Sequence, residues 1–354
     1  MKRYRIAVMP GDGIGKEVIP AGVEVLRAVA ARDGGFALET EDFDWGSDHW
    51  RATGRMMPED GLERLRPFDA IYFGAVGDPD IPDHVTLWGL RLAICQSFDQ
   101  YANVRPARLL PGIEGPLRKG KLDCVIVREN SEGEYAGQGG RSHRGLPEEV
   151  ATEVAIFTRR GVERIMRFAF ELAMTRRRHL TVVTKSNAQR HGMVLWDEIA
   201  REVARDFPEV TVRFELVDAM TTVFVLKPEL IDVVVATNLH ADILSDLASA
   251  LSGSLGIGPT ANLDPERRFP SMFEPIHGSA FDITGKGVAN PLGSFWTGAM
   301  MLEHLGEPAA AARLLRAIER VTAAGRPFTP DLGGSAGTAE VTAAVIEAVR
   351  SGND

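Results

Sequence analysis

The strongest constraint on the fold is a unit that recurs along the chain: a short apolar run, a break, then a stretch of helical spacing. Residues 233–237, Val-Val-Val-Ala-Thr, form a buried-type run. They turn at once into Asn238-Leu239-His240-Ala241-Asp242-Ile243-Leu244-Ser245-Asp246, a helix-like segment. Residues 4–9 open the same way into Pro10-Gly11-Asp12-Gly13-Ile14-Gly15 and a helical stretch over 17–30, with Val18, Val25 and Val29 on one side. Strand, turn and helix in alternation mark an α/β fold. The glycines do not make a dinucleotide fingerprint. Gly11, Gly13 and Gly15 give GxGxG, so the third glycine is misplaced for GxGxxG and no Rossmann fold follows from it.

Further apolar runs lie at 70–77, 123–127, 180–184 and 212–217. A helix is expected over 86–102, ended by Pro106, and a strongly amphipathic one over 160–177, with Val162, Ile165, Met166, Ala169, Leu172 and Ala173 at helical spacing. Residues 137–147, rich in Gly, Arg and Ser, read as a projecting arm, and the helix from Asn238 is expected to end near Leu255. Four runs carry charge at or just past their C-terminal ends: Arg128, Lys185, Asp218 and the pair Asp242 and Asp246. Open α/β sheets bind ligands outside that edge, so the four converge on one site. The two aspartates stand four residues apart, hence on one helical face, where like charges repel. Such pairs usually sit in solvent. Ile243, Leu244, Leu247 and Ala248 around this one make a hard divalent cation the alternative.

With 354 residues, two domains are expected. A net charge of −9 argues against a nucleic-acid or anionic-membrane partner, which would need a basic face. Cys95 and Cys124 are too few for a disulfide framework and belong to no metal-binding pattern, which fits a reducing compartment. Residues 1–4 run straight into a strand and no apolar run suits a signal or a membrane span, so the expected address is cytoplasmic. Near the end, Glu274-Pro275-Ile276-His277-Gly278-Ser279-Ala280-Phe281-Asp282 combines small residues, which let a ligand lie against the backbone, with an acid able to accept both hydroxyls of a ribose.

Taken in order, Pro10-Gly-Asp-Gly-Ile-Gly, Asn103-Val-Arg-Pro, Val127-Arg-Glu-Asn, Thr184-Lys-Ser-Asn, the stretch Thr237 to Asp246 and the stretch Glu274 to Asp282 resemble the metal-dependent, β-decarboxylating 2-hydroxyacid dehydrogenases, which include isopropylmalate and isocitrate dehydrogenases. Within that family, residues 84–91 and 129–141 look most like the branch of tartrate dehydrogenase and decarboxylating D-malate dehydrogenase. The resemblance implies an α/β, two-domain isopropylmalate/isocitrate dehydrogenase-like fold sharing a mixed sheet. The first domain would be 1–100 plus 256–354, and the second 101–255 with an arm at about 137–155. It implies a homodimer with active sites shared between chains. Asp242 and Asp246, with Asp218 of the partner subunit, would hold Mn²⁺ or Mg²⁺. Lys185 of the partner subunit would deprotonate the substrate hydroxyl, and Tyr135 would protonate the product enol. Arg105 and Arg128 would clamp carboxylates, while Glu274, His277, Gly278, Ser279, Ala280, Asp282 and Asn290 would hold NAD. A monovalent cation such as K⁺ is an optional further cofactor. The family usually has another arginine where this chain has Cys95, and Arg91, a turn earlier, is the suggested replacement.

These residue types suit the chemistry. Oxidising a 2-hydroxyacid needs a base for the hydroxyl proton, which a desolvated lysine near a cation can supply. A metal polarises the resulting carbonyl and stabilises the charge left when CO₂ departs. Arginine recognises carboxylates as a fork. An acid at position 282 disfavours the 2′-phosphate of NADP. Leu87-Trp88-Gly89-Leu90, bulky at one place and absent at another, reads as a pocket for a compact dicarboxylate, D-malate or tartrate. The alternatives are 3-isopropylmalate as substrate, or a lyase that decarboxylates a keto acid without redox.

Overall fold

A computed structural model describes residues 1–117 and 121–352. In chain order the strands are β1 (Lys2–Gly11), β2 (Phe36–Asp42), β3 (Ala70–Ala75), β4 (Ala102–Arg108), β5 (Asp123–Glu129), β6 (Gly133–Ser142), β7 (Val150–Ile156), β8 (His179–Thr184), β9 (Thr211–Leu216), β10 (Val233–Ala236), β11 (Pro259–Leu263) and β12 (Ser271–Pro275). The chain divides into two compact units. One is Met1–Gln100, Leu109–Pro116 and Ser249–Asp354; the other is Tyr101–Arg108 and Leu117–Ala248. The return to the first unit thus comes at Ser249, where the sequence reading put it at 256, and residues 109–116 also belong there.

In the first unit β1 lies between β2 and β3 and is parallel to both; β12 is parallel to β3, and β11 runs antiparallel to β12. Every residue of β3 is buried, as in sheets covered on both faces. Ala7, Met9, Ile71, Phe73 and Met272 pack into an apolar layer with Phe43, Trp45, Phe68, Leu90, Cys95 and Phe98. Tyr72, on the other face by strand alternation, donates to the Ser294 carbonyl at 2.6 Å. A Cβ on Gly22 of the helix Gly15–Asp33 would stand 2.0 Å from that phenol oxygen, so the helix needs glycine there to close on the sheet. Because β2 and β3 flank β1, the crevice past the C-terminal ends of β1 and β3 is a topological switch point, where such sheets take ligands.

The expected helix over 86–102 is corrected. Asp83–Thr86 and Leu92–Ser97 are α-helical, with a π turn at Leu87–Arg91 between them. The chain leaves the helix through Asp99, whose backbone is left-handed (φ 45°). Pro106 ends nothing. It sits inside β4 opposite Val125, where its fixed φ is compatible with an extended chain.

In the second unit β5 pairs antiparallel with β4 and parallel with β10, and β8 lies parallel between β10 and β9. The helix Arg159–Met174 buries Val162, Ile165, Met166, Ala169, Phe170 and Ala173, and the Thr158 hydroxyl caps it by accepting from the Gly161 N–H at 2.9 Å. The helix after β10 spans Asn238–Leu251, shorter than expected, and Gly253 (φ 108°) follows it. The arm is a two-stranded antiparallel ribbon of β6 and β7, exposed over most of its length. Among the described residues no helix is long and apolar enough to cross a membrane.

Candidate active site

The second unit carries charge along one sheet edge. Arg128, the last residue but one of β5, lies beside Ala236 of β10, and Lys185 follows β8. Asp218 occupies the first turn of the helix after β9, and Asp242 and Asp246 lie on the helix after β10. Along this edge Arg128 meets Asp242, and Lys185 meets Asp218, as two separate contacts. Arg105 reaches the same place from antiparallel β4: its guanidinium lies 3.1 Å from the Asp242 carboxylate and donates to the Ser245 hydroxyl at 2.7 Å. Arg128, only 2 % exposed, holds the same Asp242 oxygen at 2.5 Å. Its guanidinium carbon stands 5.1 Å from the centre of the Tyr135 ring. Lys185 donates to Asp218 at 2.5 Å, which holds the Asp218 carboxyl below the usual range.

Asp246 is shifted the other way. Burial raises it first and the Asp242 charge second, against the opposing pull of Arg105 and Arg128. A carboxylate pair in this condition gains from a bound cation, which offsets the mutual repulsion. Among the described residues no group of three or more His, Cys, Asp or Glu side chains is placed to hold a metal.

Around this edge lie polar groups that the sequence reading passed over. The Thr237 hydroxyl donates to Glu134 at 3.0 Å, and the other Glu134 oxygen, the Asn238 side-chain oxygen and His240 Nδ1 are buried without a hydrogen-bond partner. Burial lowers the His240 imidazole, so it stays neutral near neutrality. The signal was available only as neighbourhood: Glu134 precedes Tyr135, and His240 stands two residues before Asp242.

The first unit holds a cavity of about 550 Å³ lined by Ile14, Leu255, His277, Gly278, Ala280, Asp282, Asn290 and Asp331, among others. Of the residues expected to hold NAD, His277, Gly278, Ala280, Asp282 and Asn290 stand in its wall. Ser279 instead fastens the glycine turn. Its carbonyl accepts from the Ile14 N–H at 2.8 Å, and a Cβ on Gly13 (φ 53°) would collide with that carbonyl at 1.9 Å. Asp12, buried at the switch point, accepts from the Ser47 N–H and hydroxyl, both at 2.7 Å, and from the Gly77 N–H at 3.0 Å. Burial holds His277 neutral, and its Nε2 is buried without a partner, an unused polar contact suited to a ligand with hydrogen-bonding groups.

Three expectations change. Glu274, expected to hold NAD, lies within strand β12, and its carboxylate is bound by Arg91 at 2.6 and 2.8 Å and by Asn262 at 2.8 Å. Arg91, the suggested stand-in for a missing arginine, therefore has a carboxylate of its own unit to hold, while Cys95 sits in the apolar layer, 1 % exposed. The shape argument for residues 87–90 also weakens. Leu90 belongs to that layer, and Gly89 is glycine because a Cβ would stand 2.7 Å from Met56.

A family model described as isocitrate/isopropylmalate dehydrogenase matches residues 5–349. A probable tartrate dehydrogenase/decarboxylase of Agrobacterium vitis is 69% identical, covering 100% of this chain and 99% of its own length. The decarboxylating D-malate dehydrogenase of Escherichia coli (strain K12) is 51% identical, with 99% of each chain covered. Among solved structures, isocitrate dehydrogenase from Methylococcus capsulatus aligns at a TM-score of 0.89 and 37% identity over 98% of this chain and 99% of its own.

Proposed function

The chain belongs to the isocitrate/isopropylmalate dehydrogenase family and is an oxidoreductase, and we propose that it oxidises and decarboxylates D-malate and tartrate with NAD and a divalent cation, Mn²⁺ or Mg²⁺. What carries the reading is the clamp of Arg105 and Arg128 on Asp242, with Asp246 one turn along the same helix. Two arginines and an acid pair are what a dicarboxylate and a cation need side by side.

In the working enzyme the two guanidiniums exchange Asp242 for the substrate carboxylates, and Asp242 and Asp246 hold the cation. When bound, NAD would supply the hydride acceptor and the cation Lewis-acid stabilisation of the charge that develops on the substrate. Asp218 and Lys185 touch each other, so they serve one site together: Asp218 as the third acid and Lys185 as the base that takes the hydroxyl proton. Tyr135, stacked near Arg128, delivers a proton to the carbon that loses CO₂. Arg128 and Tyr135 thereby fix carboxylate and acid relative to each other.

We further propose that Asp218 and Lys185 act in the site of a second copy, in a homodimer. The arm leaves Leu146, Val150, Val154 and Ile156 exposed, and Val225, Leu226 and Ile243 are exposed in the same unit. An isolated two-stranded ribbon is marginal in water, so an apolar one gains by covering. The deciding assay is NADH formation from D-malate, the tartrates and 3-isopropylmalate, with and without Mn²⁺. Cation-dependent NADH from D-malate or a tartrate is expected. No NADH from any substrate would overturn the reading, and a strong preference for 3-isopropylmalate would move it to the neighbouring branch. CO₂ release from a keto acid without coenzyme turnover would make the protein a lyase.

A further inference from the structure

A second cavity of the first unit, about 240 Å³ in volume, lies at the edge opposite the glycine turn, where β1, β3 and β12 begin. Its wall carries three guanidiniums, Arg66, Arg267 and Arg268, and one carboxylate, Asp69, which accepts from the Arg5 N–H at 2.7 Å. Acids outside the wall fix two of the arginines. Arg66 bonds Glu63 through Nε and Nη2, both at 3.2 Å, and its guanidinium carbon stands 4.8 Å from the centre of the Phe269 ring. Arg268 bonds Asp99 at 2.7 Å and Asp264 at 3.1 Å, with Glu266 at 3.4 Å. Arg267 is different. It makes no ion pair and no side-chain hydrogen bond among the described residues, and its backbone is left-handed (φ 55°), where glycine or asparagine is the ordinary occupant. It sits in the turn between β11 and β12, its N–H donating to the Asp264 carbonyl at 2.9 Å. A charged side chain kept without a partner, on a backbone that disfavours it, points to a use outside the chain. His304, at the end of the helix Leu292–His304, also lines the cavity, and its ring makes no hydrogen bond among the described residues. Burial first and the Arg267 charge second push its imidazole down to about 4, so near neutrality it is uncharged and keeps one N–H to donate.

We infer that this cavity is a second ligand site, which takes the phosphate group of a small phosphorylated metabolite. Three guanidiniums present forked donors to an oxyanion, and the single Asp69 offsets only part of their charge. Arg66 and Arg268 are oriented in advance by their ion pairs, while Arg267 brings the charge that a bound phosphate neutralises. A phosphomonoester suits this wall better than a carboxylate does, because it carries more than one negative charge and three strong acceptor oxygens. The cavity is larger than a bare phosphate, and Phe68, Phe269 and Leu305 offer apolar surface to a short carbon chain. None of the residues proposed for the coenzyme, the cation or the dicarboxylate takes part.

The test is titration calorimetry of inorganic phosphate, glycerol 3-phosphate and succinate into the whole protein, with EDTA present so that no cation bridges anion and protein. A saturating event is expected for both phosphates, tighter for glycerol 3-phosphate, and succinate should bind weaker by about tenfold or more. Arg267→Gln removes the unpaired charge and should weaken glycerol 3-phosphate by about tenfold or more. Arg267→Gly removes it too and relieves the left-handed backbone, so it should lose as much affinity while unfolding at no lower urea concentration than the wild type. Arg105→Gln takes a guanidinium from the candidate active site instead, and the event should survive it. No binding to the wild type, unchanged affinity in the two Arg267 variants, loss of the event in Arg105→Gln, or equal affinity for succinate would each overturn the inference.

Discussion

Glu129 follows Arg128 at the end of β5 and is 1 % exposed. Its carboxyl receives hydrogen bonds from the Ser131 N–H at 3.1 Å, the Ser131 hydroxyl at 2.5 Å and the Glu132 N–H at 3.0 Å, which shape the start of the loop leading to Tyr135. These donors favour the ionised form. Burial outweighs them and, with the Glu132 charge nearby, pushes the carboxyl from 4.5 up to about 7. A raised acid holds its proton more tightly in the folded chain. Its stabilising contribution is therefore complete below the unfolded value and is lost as pH rises through about 7. At about 1.4 kcal/mol per unit, the interval corresponds to about 3 kcal/mol. Glu129→Gln removes the titration and leaves the other ionisable groups to cancel in the difference. Urea unfolding of both proteins from about pH 5 to about pH 8 should show the wild type losing about 2–3 kcal/mol relative to the variant. A difference that stays flat across that range, or rises with pH, would refute the assignment of a buried, proton-holding Glu129.

Arg91→Ala leaves Glu274 buried without its cation and should cost about 3–5 kcal/mol in denaturant unfolding. Unchanged KM and kcat for D-malate in that variant would also remove Arg91 from the carboxylate contacts. Gly13→Ala forces a side chain against the Ser279 carbonyl and should raise KM for NAD by about tenfold or more, read by steady-state kinetics; a normal KM would show that the turn yields freely. Val154→Asp, on the exposed ribbon, should shift the protein toward a monomer by light scattering, and an unchanged mass would exclude β7 from the contact between copies.

What could be read from the chain divides by distance along it. Each charged strand end was legible because run, break and charge are consecutive, as in Val127-Arg128 or Thr184-Lys185. The buried face of the helix Arg159–Met174 was legible by its period, with Phe170 buried and Leu172 only partly so. Pro106 misled because proline is as compatible with an extended strand as with a helix stop, and the actual stop is a left-handed Asp99 with no glycine to announce it. Glu274 with Arg91, and Asp331 with Ser254 and Asn290, join segments far apart in sequence, so no local spacing reveals them. Gly89 looked like room for a substrate and is room for Met56.

In the proposed homodimer each active site takes Asp242 and Asp246 from one copy and Asp218 and Lys185 from the other. Asp246→Asn and Asp218→Asn should each abolish cation-dependent NADH formation from D-malate. When the two inactive proteins are mixed and their subunits allowed to exchange, half of the dimers are hybrids and each hybrid has one intact site, so about a quarter of wild-type activity should return. Activity that does not return after demonstrated exchange would contradict the shared site.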